Sequence, residues 1–172
     1  MNITPSGQAC GARITGLDLS KPLPTNTLRG IRDAWLEHHV LAFPDQQLDD
    51  EDLVRVTQAL GGIGDDPFFV PINKKTPVVA LTRRADEQAP VFAENWHTDW
   101  SFKKHPPIGT CLYSLVVPPV GGNTGFANQQ MALAQMPDEL RSRLEGKVAL
   151  HSAAAAYGPQ GTYGEKDQGN DR

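Results

Sequence analysis

The sequence predicts one domain spanning residues 1–172, of α+β or mainly β class with flanking helices. Three observations carry this. Strand-like apolar segments dominate the second half, two helical periods come early, and 14 prolines with 16 glycines demand many turns. After Ser152 the chain is small, polar and irregular and has no closing element, so the sheet reads as unfinished at residue 172.

In order, residues 11–23 (GARITGLDLSKPL) alternate apolar and polar from Ile14 to Leu19, the period of a half-buried strand. Residues 25–40 (TNTLRGIRDAWLEHHV) have the helical period. Leu28, Ile31, Trp35 and Leu36 are assigned to one face, with Thr25 or Asn26 as the cap. VLAFPDQ (40–46) is a short buried strand stopped by Pro44. A second helix follows at 48–62, its acids in the first turn, where the dipole favours them, and Gly61-Gly62 at its end. Residues 63–76 read as a loop, PVVALTR (77–83) as a strand and 84–95 as a polar loop. A long strand lies within 106–119, a turn, short strand and helix start within 120–137, then a helix and the strand KVALHS (147–152).

Hydrophobic residues make up 39% and charged residues 21%, which is globular composition. A net charge of -4 without a basic stripe argues against a nucleic-acid partner. The longest apolar run, GTCLYSLVVPPV, is too short to span a bilayer, and the polar, glycine-rich N-terminus is no signal peptide. Cys10 and Cys111 form no C-x-x-C pair, which points to a reducing, cytoplasmic setting.

The chemistry concentrates in AENWHTDWSFKKHPP, residues 93–107. In an extended chain, residues i and i+2 share a face, so His97 and Asp99 can present an imidazole nitrogen and a carboxylate oxygen to one point. Such a pair is two-thirds of the facial triad that holds non-haem Fe(II) and leaves positions open. From the tripeptide alone, a structural hydrogen bond between the same two side chains is the more common outcome. Trp96, Trp100 and Phe102 around it read as a pocket wall or as core. Downstream, Gly121-Gly122 permits a tight turn, and Thr124 follows with a hydroxyl that can bond a carboxylate or simply favour a strand.

Taken together, NWHTDWSF, then PPIGTCLYSLVVPPVGGNTGFAN, then MPDELRSRLEGKVALHS, preceded by GARITGLDLSKPL and AWLEHHVLAFPDQQL, resemble the taurine dioxygenase-like family of Fe(II)- and 2-oxoglutarate-dependent dioxygenases. The resemblance covers nearly the whole chain. It implies a double-stranded β-helix (a jelly roll) with flanking helices, incomplete at its C-terminus. It implies His97 and Asp99 as the first two iron ligands and Thr124 as the partner of the distal carboxylate of 2-oxoglutarate. The implied reaction consumes O2, converts 2-oxoglutarate to succinate and CO2, and hydroxylates a small, anionic organic substrate. Family members are commonly homo-oligomers. Taurine dioxygenases hold the sulfonate with a histidine in the loop after the second helix and an asparagine four residues before the first iron ligand. Here that loop is GDDPFFVPI, with Asp66 or Phe68 near the histidine's place, and Ala93 stands at the asparagine's. Taurine is therefore a poor expectation, and Phe68 and Asn95 are the candidate substrate-binding residues, with Phe69 beside them. Arg83 and Arg84 can attract an anion or form a solvated strand end.

The family places a second histidine ligand well downstream, followed by an arginine that pairs with 2-oxoglutarate. His38 and His39 end a helix, and His105 sits in a lysine-rich loop. His151, 52 residues after Asp99, is the serious stand-in, but the family has a histidine there besides its later ligand, and no Lys or Arg lies between His151 and Lys166. The third ligand is thus expected outside this chain, which would be a fragment or a truncated product, weak or inactive alone. Two rivals remain: a metal-assisted hydrolase built on His97 and Asp99, and a catalytically dead remnant acting as a binding or interaction module.

Overall fold

The computed structural model describes residues 1–64, 68–88, 93 and 95–158. It divides into two compact units, Met1–Leu60 with Tyr113–Lys147, and Gly61–Leu112 with Val148–Arg172.

The first unit holds a three-stranded sheet. Strand β1 (Asn2–Pro5) pairs antiparallel with β2 (Ala12–Thr15), Ile3 facing Ile14. Their connection is tied by Ser6, whose N–H donates to Gly11 C=O at 2.9 Å and whose hydroxyl donates to Cys10 C=O at 2.7 Å. From β2 the chain passes through helix α1 (Thr25–His38) to β3 (Leu41–Ala42), which lies parallel to β2 with Ala12 opposite Leu41. Parallel neighbours need such a crossover, and α1 supplies it.

Helix α1 packs on β3 and on α2 (Asp50–Leu60). Ala12, Ile14, Leu19, Ile31, Ala34 and Val56 form the core. The buried face of α1 is centred on Ile31 and Ala34, and Leu36 is 66% exposed, which corrects its assignment to the core face. At 100° per residue Leu36 falls well round the helix from Ile31. The expected cap by Thr25 or Asn26 is replaced by Pro24, whose extended ψ of 148° sets the entry, while Asn26 Oδ1 accepts from the adjacent Thr27 N–H. Helix α2 is capped as its acids suggest: Asp49 Oδ1 accepts from Asp52 N–H at 2.8 Å.

Two polar side chains fasten the loop after β2. Gln46 Oε1 accepts from Leu19 N–H, and its amide donates to Leu17 and Pro44 carbonyls. Arg55 donates to the Leu19 and Lys21 carbonyls and pairs with Asp52 at 2.6 Å. The Arg55 bond holds the Asp52 carboxyl below the usual carboxylate range, and bonds from Ser20 do the same for Asp18. Tyr113 joins the same unit: it accepts from Leu48 N–H and donates to Gln46 C=O. Helices α3 (Gln129–Ala134), capped by Asn128, and α4 (Asp138–Leu144) complete the unit.

The strands expected at 77–83, within 106–119 and at 147–152 carry no ladder among the described residues. Val116 is 91% and Leu150 is 95% exposed. An apolar, β-prone segment becomes a strand only when a neighbour takes up its N–H and C=O groups in a ladder, and among the described residues Val78 C=O accepts only an isolated bond, from Ile72 N–H at 2.9 Å. Ladder-paired strand is accordingly less abundant than helix, and the observed sheet is smaller than a mainly β reading expects. In the second unit the one helix is α5 (Ala154–Tyr157), among the described residues. No described helix is long and apolar enough to cross a membrane.

Candidate metal centre

The segment 95–99 lies in the second unit between two non-glycine residues of left-handed backbone, Ala93 (φ 57°) and Trp100 (φ 45°). Each such residue costs about 1–3 kcal/mol, and strain of this kind collects at functional sites. Trp100 C=O accepts from Lys103 N–H at 2.9 Å, and the Lys103 ammonium stands 4.6 Å from the Trp100 ring. The turn therefore folds back on itself directly after Asp99.

Within it, His97 Nδ1 lies 2.7 Å from the Asn95 carbonyl oxygen. A carbonyl only accepts, so Nδ1 carries the proton and neutral imidazole keeps its lone pair on Nε2. That Nε2 faces Asp99 Oδ1 at 3.0 Å. The second carboxylate oxygen, Oδ2, accepts from the Thr110 hydroxyl at 2.6 Å. Nε2 and Oδ1 are thus at hydrogen-bond distance, a contact that a proton between them makes a hydrogen bond and that a cation beside them can use as a pair of electron-pair donors. Both side chains are 49% exposed, so the pair is open on one side. Trp96, at 77% exposure, is no core residue.

Phe68 lies in the same unit and stacks on Tyr157 with centroids 4.0 Å apart, and it meets Phe102 edge-on at 5.8 Å. Phe69 and Phe102 also contact Tyr157. Of this cluster, Phe102 follows Asp99 in the chain, Phe68 and Phe69 follow α2, and Tyr157 ends α5. Asn95 supports His97 through its main chain, and its side chain is exposed. Asp66 lies outside the described residues. Arg83 is engaged by Glu87 through Oε1 and C=O. His105 is exposed, and His151 Nδ1 lies 2.7 Å from Ser101 Oγ. No group of three His, Cys, Asp or Glu side chains that could hold a metal ion occurs among the described residues.

Thr124 belongs to the first unit and is exposed. The expected turn before it is present: Gly121 (φ 82°) and Gly122 (φ 68°) are both left-handed. A Cβ on Gly122 would also stand a tight 3.1 Å from Pro118 Cγ, which adds to the preference for glycine that its positive φ sets. Thr110, Ser101 with His151, and Tyr157 were not foreseen from the sequence. Their partners lie 11 to 50 residues away or further, and no local motif marks them.

His97 and Asp99 thus form a close polar pair, each with its outer atom bound within the protein. The model of the taurine catabolism dioxygenase TauD, TfdA family matches residues 2–171, and the chain belongs to that family. It is 36% identical over 149 residues to an alkylsulfatase of Acinetobacter baylyi, covering 86% of this chain and 46% of that protein. It is 33% identical over 161 residues to an alpha-ketoglutarate-dependent sulfate ester dioxygenase of Pseudomonas putida, covering 91% and 51%. Among solved structures it resembles a Burkholderia xenovorans protein assigned as an alpha-ketoglutarate-dependent taurine dioxygenase (28% identity, TM-score 0.67, 84% of this chain and 53% of that one). It also resembles AAD-2 in complex with Mn(II) and N-oxalylglycine (26% identity, TM-score 0.59, 84% and 50%). The chain spans about half the length of the curated relatives it matches.

Proposed function

We propose that this chain carries the first two metal ligands and the cosubstrate hydroxyl of an Fe(II)- and 2-oxoglutarate-dependent dioxygenase acting on a sulfate ester. The observation that carries it is the 3.0 Å gap between His97 Nε2 and Asp99 Oδ1. Two donors at about 2.1 Å from a six-coordinate divalent ion and at right angles stand about 3.0 Å apart, so the donor set fits such an ion. With iron, 2-oxoglutarate and O2 bound, the centre supplies oxidative decarboxylation to succinate and CO2 and the hydroxylation of a substrate C–H bond.

The chain's own groups do the rest. His97 and Asp99 hold one face of the metal and leave the other to small molecules. Thr124 donates to the distal carboxylate of 2-oxoglutarate from the Gly121-Gly122 turn. N-oxalylglycine has the same oxo-acid end and distal carboxylate, and its presence with Mn(II) in AAD-2 supports this cosubstrate. Phe68 and its aromatic neighbours offer an apolar wall against which water is excluded and an alkyl chain can lie. Hydroxylation at the carbon bearing the ester oxygen yields a product that collapses to an aldehyde and sulfate. The relatives' names support a sulfate ester, and Ala93 argues against taurine.

The single domain, 1–172, corresponds in this reading to the first half of a jelly roll, with the third ligand and the 2-oxoglutarate arginine beyond the described residues. Turnover by this chain alone is then low. Calorimetry on the Mn(II)-loaded chain tests the reading. 2-Oxoglutarate should bind only with metal present, Thr124→Ala should weaken it about 10-fold through the lost charge-assisted bond, and an alkyl sulfate should bind in preference to taurine. Metal-independent 2-oxoglutarate binding, or preference for taurine, contradicts it. Preference for a phenoxypropionate instead would move the substrate class to that of the phenoxy-acid relatives.

A further inference from the structure

We propose that Thr110 is a positioning residue that makes Asp99 a one-oxygen ligand and aims that oxygen at the metal. This rests on the two-ligand reading above. The geometry divides the carboxylate cleanly: Oδ1 faces His97 Nε2 at 3.0 Å, and Oδ2 accepts from Thr110 Oγ1 at 2.6 Å. A carboxylate has no proton to give, so the hydroxyl must be the donor, and a bond this short to a charged acceptor is of the strong, charge-assisted kind.

The bond matters because little else among the contacts of Asp99 fixes its second oxygen. The side chain is 49% exposed. A half-exposed carboxylate can rotate to offer either oxygen, or chelate through both. Occupying Oδ2 removes both alternatives and leaves Oδ1 beside the imidazole. Thr110 suits the task, since its branched Cβ restricts χ1 and the hydroxyl direction is set with the backbone. It also reaches Asp99 across 11 residues of chain, closing the loop that contains Trp100, Phe102 and Lys103. His97 is held in the parallel way, by Asn95 C=O on Nδ1. Each ligand therefore has one atom for the metal and one for the protein, the arrangement by which outer partners orient metal ligands.

The test is Mn(II) binding to the full 172-residue chain, read by the electron paramagnetic resonance signal of free Mn(II). Wild type, Thr110→Val, Thr110→Ala and Thr110→Ser are compared, with circular dichroism and thermal melts alongside. Loss of the donor in T110V and T110A should raise the Mn(II) Kd about 10-fold or more, while T110S, which keeps the hydroxyl, stays within about 3-fold. All four should melt alike, because Thr110 is exposed. Wild-type affinity in both T110V and T110A overturns the role of Thr110 and leaves the two-ligand reading standing, as does a T110S that loses as much as T110V. A wild-type chain that takes up no Mn(II) at millimolar metal overturns the two-ligand reading, and this role with it.

Discussion

Each member of the His97–Asp99 pair turns one atom toward the other and hands its second atom to a fixed partner, Asn95 C=O or Thr110 Oγ1. The pairing of the two side chains was legible in the sequence because H-x-D is contiguous and residues i and i+2 can share a face. Their supports were not legible. Thr110 is an unremarkable threonine until the chain bends back, and Ser101 finds His151 across 50 residues. Phe68 was legible as an aromatic in the loop after the second helix, but its stacking partner Tyr157 lies in the irregular tail of small residues, where no periodicity points. At this scale stability is equally specific. Ile31 is among the most deeply buried side chains, and Ile31→Ala should cost about 2–5 kcal/mol in urea unfolding, the range for such truncations in a closed core.

Among elements, helices were read better than strands. α1, α2 and α4 close their hydrogen bonds within themselves, so a local period and local end signals suffice to find them. A strand depends on a distant neighbour, and the β-prone runs at 112–117 and 147–152 have none among the described residues. The end of α1 shows how a local rule can be bent. His39, at the C-cap, takes φ 65° and still donates its N–H to Trp35 C=O at 2.7 Å. Glycine has no Cβ to strain there, so His39→Gly should raise stability by about 0.5–1 kcal/mol by urea unfolding. At the other kind of end, Asp49→Ala removes the bond to Asp52 N–H and should cost about 1 kcal/mol.

Over the whole molecule, the sequence indicated which family contributes the chemistry, and the family match over residues 2–171 bears that out. What it could not convey is how much of a sheet this chain builds by itself, since sheet closure is a property of all its strands together. Acid sensitivity also belongs to this scale. Asp18 and Asp52 both have folded pKa values lowered below 3.8, by Ser20 and by Arg55 respectively. Lowered carboxylate values stabilise the fold above the unfolded pKa, and that contribution is lost as pH falls through the lowered ones. Urea midpoints should therefore hold level from neutral pH down to about pH 4 for these two groups and decline below it, with Asp52→Asn showing a shallower decline.

The most direct test of the two-ligand half-site is an anaerobic Fe(II) titration of the chain with 2-oxoglutarate present, following the visible metal-to-ligand charge-transfer band. The account predicts a weak, saturable band that disappears in both His97→Ala and Asp99→Ala, with little succinate formed when air is admitted. A band of the same strength in either variant, or no iron uptake by the unaltered chain, would contradict it.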